Sequence, residues 1–312
     1  MGNLNLHIFE ERENVFSFFR DCSKLCLSDL PETNRAFYFL YETWEKVSDD
    51  LWKWCYWQDY FRCGQIVLST ANTINNTVVE VQLLSELGWL YLEWQDFIKA
   101  EEYFNRGLQK SELLKDNKQE SRLFRYLGVL FHRQDDLSSA LNYYQKSLQI
   151  VVEESAKNQG EKSQIWLKSE AELRNVLGSF YLKLKNFDTS YKELSLSLAK
   201  YRSLGDEERY YQTAPLLNLG DWHLAQQDYN LAQKYYQECL ELSKEISRPD
   251  MEAGALLKFA ELAKAQENNQ QALQFAIEAE KVAGTEVVSV REKAARFKEQ
   301  IIAHKFQTSD NI

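Results

Sequence analysis

A chain of 312 residues, 44% hydrophobic and 27% charged, has enough apolar material for one large or two ordinary domains beneath a wettable surface. Its formal net charge of −10 argues against a general attraction to phosphate backbones or anionic membranes, so neither nucleic acid nor a lipid surface is an expected partner. Three Pro and 11 Gly are few for a fold rich in strands and tight turns, and an all-α protein is expected. No run approaches 18 apolar residues, so no membrane insertion is expected. The opening MGNLNLHIFEEREN lacks a basic start and a long apolar stretch, and Leu6 stands where myristoylation after Gly2 wants Ser or Thr. A cytoplasmic location follows as the expectation. The five Cys form no C-x-x-C pair and read as reduced thiols; Cys22 and Cys26 share a helix face, but no second ligand pair completes a zinc site.

In chain order, Val15, Phe18, Phe19, Cys22, Leu25 and Cys26 form one apolar helix face, and Ser28, Asp29 and Pro31 mark a break before the next helix. Residues 37–61 then hold eleven aromatic side chains in 25 positions, densest in LWKWCYWQDYF (51–61). Base stacking is not expected there, since only Lys53 and Arg62 supply positive charge within 51–62. From residue 81 a pattern repeats. Leu-Gly recurs at 87–88, 127–128, 177–178 and 219–220; twelve residues after each Gly stands a small residue (Ala100, Ala140, Ser190, Ala232), and four further on a bulky one (Phe104, Tyr144, Leu194, Tyr236). A weaker fifth copy has Ala260 in the Gly column and Ala272 in the small column. Each copy reads as two antiparallel helices joined by a short turn such as Gln95-Asp96 or Gln227-Asp228, with the small residues placed where the two backbones approach. Gly284 can close the last of these helices. Beyond it, Val287, Val290, Ala294, Phe297 and Ile301 stripe a charged helix suited to closing an array.

This pattern resembles the tetratricopeptide repeat, read here as Leu84-x2-Leu87-Gly88-x2-Tyr91 followed by Ala100-x3-Phe104. The resemblance implies a right-handed α-solenoid. It departs from the usual 34-residue unit in its steps of 40, 50 and 42, and in having Glu112, Val152, Arg202 and Lys244 where the terminal Pro stands. Lengthened units of this kind are similar to those of kinesin light chains, bacterial peptide-pheromone receptors and the sensor arrays of bacterial STAND-type signal-transducing NTPases. The expected organisation is a helical region at 1–80 containing a degenerate aromatic-rich unit at 35–70, then five units at 81–120, 121–170, 171–212, 213–252 and 253–284. A capping helix at 285–306 and a frayed tail at 307–312 complete it, with an exposed loop at 154–164. Sliding the aromatic segment onto the first full unit aligns Tyr60-Phe61 with Tyr103-Phe104 and Trp54 with Phe97. Glu45 then falls in the Gly column and Trp57 in the small column. On that alignment the pair is splayed or Trp57 turns outward; an exposed Trp57 makes this end a docking surface, a buried one a cap.

The motifs of phosphate loops, serine nucleophile elbows, zinc proteases and calcium loops are missing, and His7, His132, His223 and His304 are scattered, with His223 in a packed column. No catalysis, cofactor or metal is expected. The family resemblance implies instead that the first helices line a concave groove that docks a protein or peptide. The side of those helices left by the core presents Gln82, Ser85, Trp89 and Glu93; then Arg122, Arg125, Val129, His132 and Arg133; then Glu172, Asn175, Ser179 and Lys183. The last two units offer Leu217, Asp221 and Leu224, and Leu257, Glu261 and Lys264. Arg122, Arg125, Arg133, Lys183 and Asn175 either clamp an acidic side chain or C-terminal carboxylate or pair with Glu172 and other acidic groups nearby. Trp89 is the expected aromatic anchor. The resemblance leaves two functions open, a constitutive scaffold or adaptor and a peptide-responsive signalling regulator; it sets no oligomeric state.

Overall fold

The structure, a computed structural model, describes the backbone of residues 2–26, 33–158 and 160–309, and the side chains of 13–26, 35–158, 160, 163–206 and 208–303. The break expected at Ser28 to Pro31, the side chains of His7 and His304, and the last three residues lie outside the described residues. Every regular element described is helical: α1 (Gly2–Cys26), α2 (Thr33–Lys53), α3 (Trp57–Thr73), α4 (Thr77–Glu93), α5 (Phe97–Leu114), α6 (Asn117–Arg133), α7 (Leu137–Lys157), α8 (Glu161–Lys183), α9 (Phe187–Ser203), α10 (Arg209–Ala225), α11 (Tyr229–Glu245), α12 (Pro249–Ala265), α13 (Asn269–Ala283) and α14 (Val288–Ser309). A single 3-10 turn, Asp206–Glu208, precedes α10. The chain forms two compact units, residues 1–130 and 131–312, and the division falls within α6.

The turn between the helices of each pair is built by one recurring device. Gln95, Asp135, Lys185, Gln227 and Glu267 adopt left-handed backbone with φ between 57° and 66°. Each is followed by Asp96, Asp136, Asn186, Asp228 or Asn268, whose side chain accepts the N–H three residues on at 3.1–3.3 Å. An Asx cap satisfies one of the free donors of the new helix and contributes about 1 kcal/mol, enough to fix where the second helix starts.

Packing within a pair explains the sequence columns, with one change to their reading. A Cβ on Gly88 would stand 2.6 Å from the Phe104 ring, one on Gly178 would stand 2.5 Å from Leu194, and one on Gly220 would drive into Tyr236. The glycine therefore opens the space that the bulky residue sixteen positions later fills, rather than serving only close backbone approach. Phe104, Tyr144, Leu194 and Tyr236 are all fully buried. The small column sits beside it, where Ser190 Oγ donates to the Gly178 carbonyl at 2.8 Å.

The aromatic segment is core, in a register three residues away from the sequence alignment. Cys55 is the left-handed residue of its turn (φ 57°), Trp57 opens α3, and Phe97, Leu137, Phe187 and Tyr229 open α5, α7, α9 and α11. Trp57 thus belongs with those residues, a column the sequence alignment gave to Trp54. The turn then places Ser48, not Glu45, in the Gly column and Tyr60, not Trp57, in the small column. Gly64 takes the bulky position, and the missing volume is refilled by Trp44: a Cβ on Gly64 would meet its ring at 3.2 Å. Trp44 is fully buried, edge-on to Tyr60 at 4.7 Å and to Phe19 of α1 at 6.2 Å, while Trp57 is 5% exposed beside Trp52. Neither splaying nor an outward Trp57 is needed. Further along, α14 runs to Ser309, three residues into the stretch expected to fray.

Candidate functional site

The faces of the first helices carry two polar clusters, one in each compact unit. In the first, Tyr41 of α2 donates to Gln82 Oε1 (2.8 Å), Gln82 Nε2 donates to Glu86 Oε1 (3.1 Å), and Tyr60 of α3 donates to the other Glu86 oxygen (2.7 Å). Burial pushes the Glu86 carboxyl up from its ordinary range, and the Tyr60 hydroxyl, the Arg122 charge and the Gln82 amide pull it part of the way back. In the second unit, Asn218 of α10 donates to Asn175 of α8 at 2.8 Å. Nearby, Lys258 of α12 bridges Asp221 (3.1 Å) and its own-helix Glu261 (2.8 Å), and Asp221 also accepts the Tyr236 hydroxyl at 2.7 Å. Burial alone would pull the Lys258 ammonium down, but the two carboxylates outweigh it and hold it above the usual lysine range.

The residues expected to line a groove divide sharply. Gln82 and Asp221 belong to the two clusters, and the Arg122 charge reaches the first. Ser85 does not line a surface: it is fully buried and returns its hydroxyl to the Gln82 carbonyl at 2.7 Å, because its position in α4 turns toward the helix interface. Arg125, 9% exposed over the Tyr126 ring, and Val129 are also in the packed interior. Trp89, the expected anchor, is half-buried against Tyr126, ring centroids 4.6 Å apart. Glu93 is half-buried and Arg133 exposed. His132 lies edge-on to Phe180 at 5.5 Å, and burial, with the Lys183 charge beside it, pulls its imidazole down to about 4. Lys183 is held in the turn after α6, donating to the His132 carbonyl at 3.2 Å and pairing with Asp135. Glu172 and Ser179 are half-buried, as are Leu217 and Leu224, while Leu257 is buried and Lys264 lies over Phe297. His223 is packed as its column implied, 7% exposed and stacked on Tyr235. Glu86, Asn218 and Lys258, two positions before the Gly column, were missed by sequence reasoning.

Among the described residues no group of three or more His, Cys, Asp or Glu is placed to hold a metal, and no helix is long and apolar enough to cross a membrane. The arrangement offers half-buried hydrogen-bonding and charged groups along the first helices of the pairs. Family comparison agrees with that architecture, matching tetratricopeptide repeats at residues 81–109 and 169–245. The chain carries tetratricopeptide repeats. Its fold is an all-α tetratricopeptide-repeat solenoid, as in several solved structures of low sequence identity. A signal-transduction ATPase with numerous domains and a tetratricopeptide repeat sensor, from Pyrococcus horikoshii, is 18% identical (TM-score 0.56); the match covers 92% of this chain but only 43% of that one. A Rap protein complexed with competence and sporulation factor is 16% identical, with 94% of this chain and 89% of that one covered (TM-score 0.56). Aspartyl phosphate phosphatase F from Bacillus subtilis is 12% identical over 96% and 85% (TM-score 0.52). No curated protein matches by sequence.

Proposed function

We propose that this repeat chain is a non-catalytic scaffold or adaptor that captures a protein or peptide on the faces of its first helices, in the cytoplasm. The observation that carries the reading is the set of polar groups held on those faces by hydrogen bonds between neighbouring helices, above all the Asn175–Asn218 pair. Such side chains are pre-ordered, so a partner meets them without a large ordering cost. An acidic side chain or C-terminal carboxylate is the group that the exposed Arg133 would take. Arg125 is buried and Lys183 is held by Asp135, so a carboxylate would have to displace Asp135 to use that lysine. A second reading, a regulator that responds to a bound peptide, is favoured by the likeness to the Rap protein complexed with competence and sporulation factor.

The test is capture from native lysate by the full chain and by an Arg133→Glu/Asn175→Ala variant, with circular dichroism confirming equal helicity. Proteins retained by the wild type and lost from the variant support the reading. Equal retention, or a chemical turnover abolished by a single Asp, Glu or His substitution, sinks it. For the regulator, small-angle scattering with and without a captured peptide must show a change in dimensions; superimposable curves reject it.

A further inference from the structure

The first unit carries an open groove of about 810 Å³ at the N-terminal ends of its first helices. Phe37, Tyr38 and Tyr41 of α2 form one side, the turn into α4 through Asn75 and Val78 the other, and Leu114 closes the end of α5. Phe37 is buried and stacks on Tyr41 with ring centroids 6.3 Å apart, giving the groove an aromatic floor. Its lip is apolar and wet: Tyr38 is 64% exposed, Val78 61% and Leu114 38%. Exposed apolar groups gathered around one concavity, rather than scattered singly, mark a docking surface.

The charge beside the groove decides what fits. The Tyr41 hydroxyl is turned to Gln82 and has the exposed Glu45 as a second hydrogen-bonding neighbour, with Glu86 close behind. Lys46 is already paired with Glu42 at 2.7 Å. Residues 1–130 carry more acidic than basic groups. A second copy of this chain would bring like charge to like charge across a symmetric contact. A small metabolite would stay largely exposed in so open a groove. We propose that the groove seats a short segment of a protein partner that presents an aromatic or branched aliphatic side chain to Phe37 and Tyr38 and a neighbouring Lys or Arg to Glu45. The inference rests on the reading of the chain as a protein-capturing scaffold, but assigns it a further surface, one that shares Tyr41 with the first polar cluster, and the opposite charge preference.

The experiment selects peptides from a random dodecapeptide display library on the immobilised full chain, then measures them by fluorescence anisotropy. Binding is compared among wild type, Val78→Glu, Glu45→Lys and the Arg133→Glu/Asn175→Ala variant. Val78 and Glu45 are both exposed, so the first two substitutions leave the core intact, with circular dichroism as the check. The expected peptides pair an apolar residue with a nearby Lys or Arg, bind both groove variants at least tenfold more weakly, and weaken as NaCl rises from about 50 to about 500 mM. Failure to enrich any peptide, enrichment of acidic peptides, or unchanged binding to Val78→Glu overturns the proposal. Peptides lost only from the Arg133→Glu/Asn175→Ala variant overturn it while leaving the proposed function standing. A concentration-dependent dimer abolished by Val78→Glu, seen by sedimentation, would assign the groove to a second copy and overturn it too.

Discussion

Replacing Gly220 by Ala tests the packing rule that sets the repeat. The added Cβ would strike Cδ1 and Cε1 of Tyr236 well inside any real contact, and would sit 3.1 Å from Cζ. Tyr236 cannot simply swing away, because it is fully buried and its hydroxyl is held by Asp221 at 2.7 Å. Overpacking of this kind costs about 1–3 kcal/mol, and loss of a hydrogen bond to a carboxylate about 1.5–3 more. The better helix propensity of Ala returns about 1 kcal/mol. The net expectation is a loss of about 1.5–5 kcal/mol, or a melting temperature lower by roughly 3–20 °C for a unit of this size. The control is Gly254→Ala in α12, where the nearest atom would be Leu217 Cδ2 at 3.8 Å. That change should stabilise by up to about 1 kcal/mol. Thermal and urea unfolding followed at 222 nm measure both. The reasoning is refuted if Gly220→Ala melts at or above wild type, or if the two variants shift together.

Three further expectations follow from the packing and the charges. Trp57→Ala should cost about 3–5 kcal/mol, because it empties a buried site at the start of α3, whereas an outward Trp57 would cost under 1; urea midpoints separate these. Lys258→Met should destabilise by about 1–3 kcal/mol by leaving Asp221 and Glu261 facing each other half-buried, while adding Asp221→Asn to it should recover part of that loss. The His132 imidazole, held down to about 4, binds its proton less readily folded than unfolded, so it removes stability as pH falls below about 6.5, the loss growing until about pH 4. Allowing for its partial exposure, that loss is about 1 kcal/mol between pH 7 and pH 5, and His132→Gln should flatten the pH profile by that amount. An unchanged profile would show that the ring titrates like a free one.

Much of the fold is legible in the sequence because the contact that makes each pair is local. Gly178 and Leu194 lie sixteen residues apart and meet within one helix hairpin, so a column pattern records them directly. The alignment misregisters the first pair because its large and small residues have changed places, Tyr60 standing where the other units keep Ala or Ser and Gly64 where the first four full units keep a bulky side chain. The turn was the better ruler. Cys55 precedes Gln95 by the same 40 residues that separate Gln95 from Asp135, and a register counted from the turns places Trp57 with Phe97 at once. The candidate site was less legible for a different reason. Helical periodicity tells which residues share a face of one helix, but Asn218 acts by reaching Asn175 on another helix, and Lys258 by reaching Asp221. The available signal was a polar residue two places before the Gly column in three of five units: Glu86, Asn218 and Lys258.

Those cross-helix bonds also change what kind of partner the first-helix faces suit. A lysine free on the surface would attract a carboxylate at long range, but Lys183 already faces Asp135, and Lys258 faces two carboxylates. A partner carboxylate approaching either must replace an existing ion pair, and the exchange gains little. Apart from Arg133, the faces therefore offer directional hydrogen bonds more than net charge, and affinity there should depend less steeply on ionic strength. Among the described residues Glu45 beside the groove is exposed and in no ion pair, so binding there should weaken more steeply with salt. Salt dependence measured on one captured partner thus reports which of the two surfaces it uses, before any residue is changed.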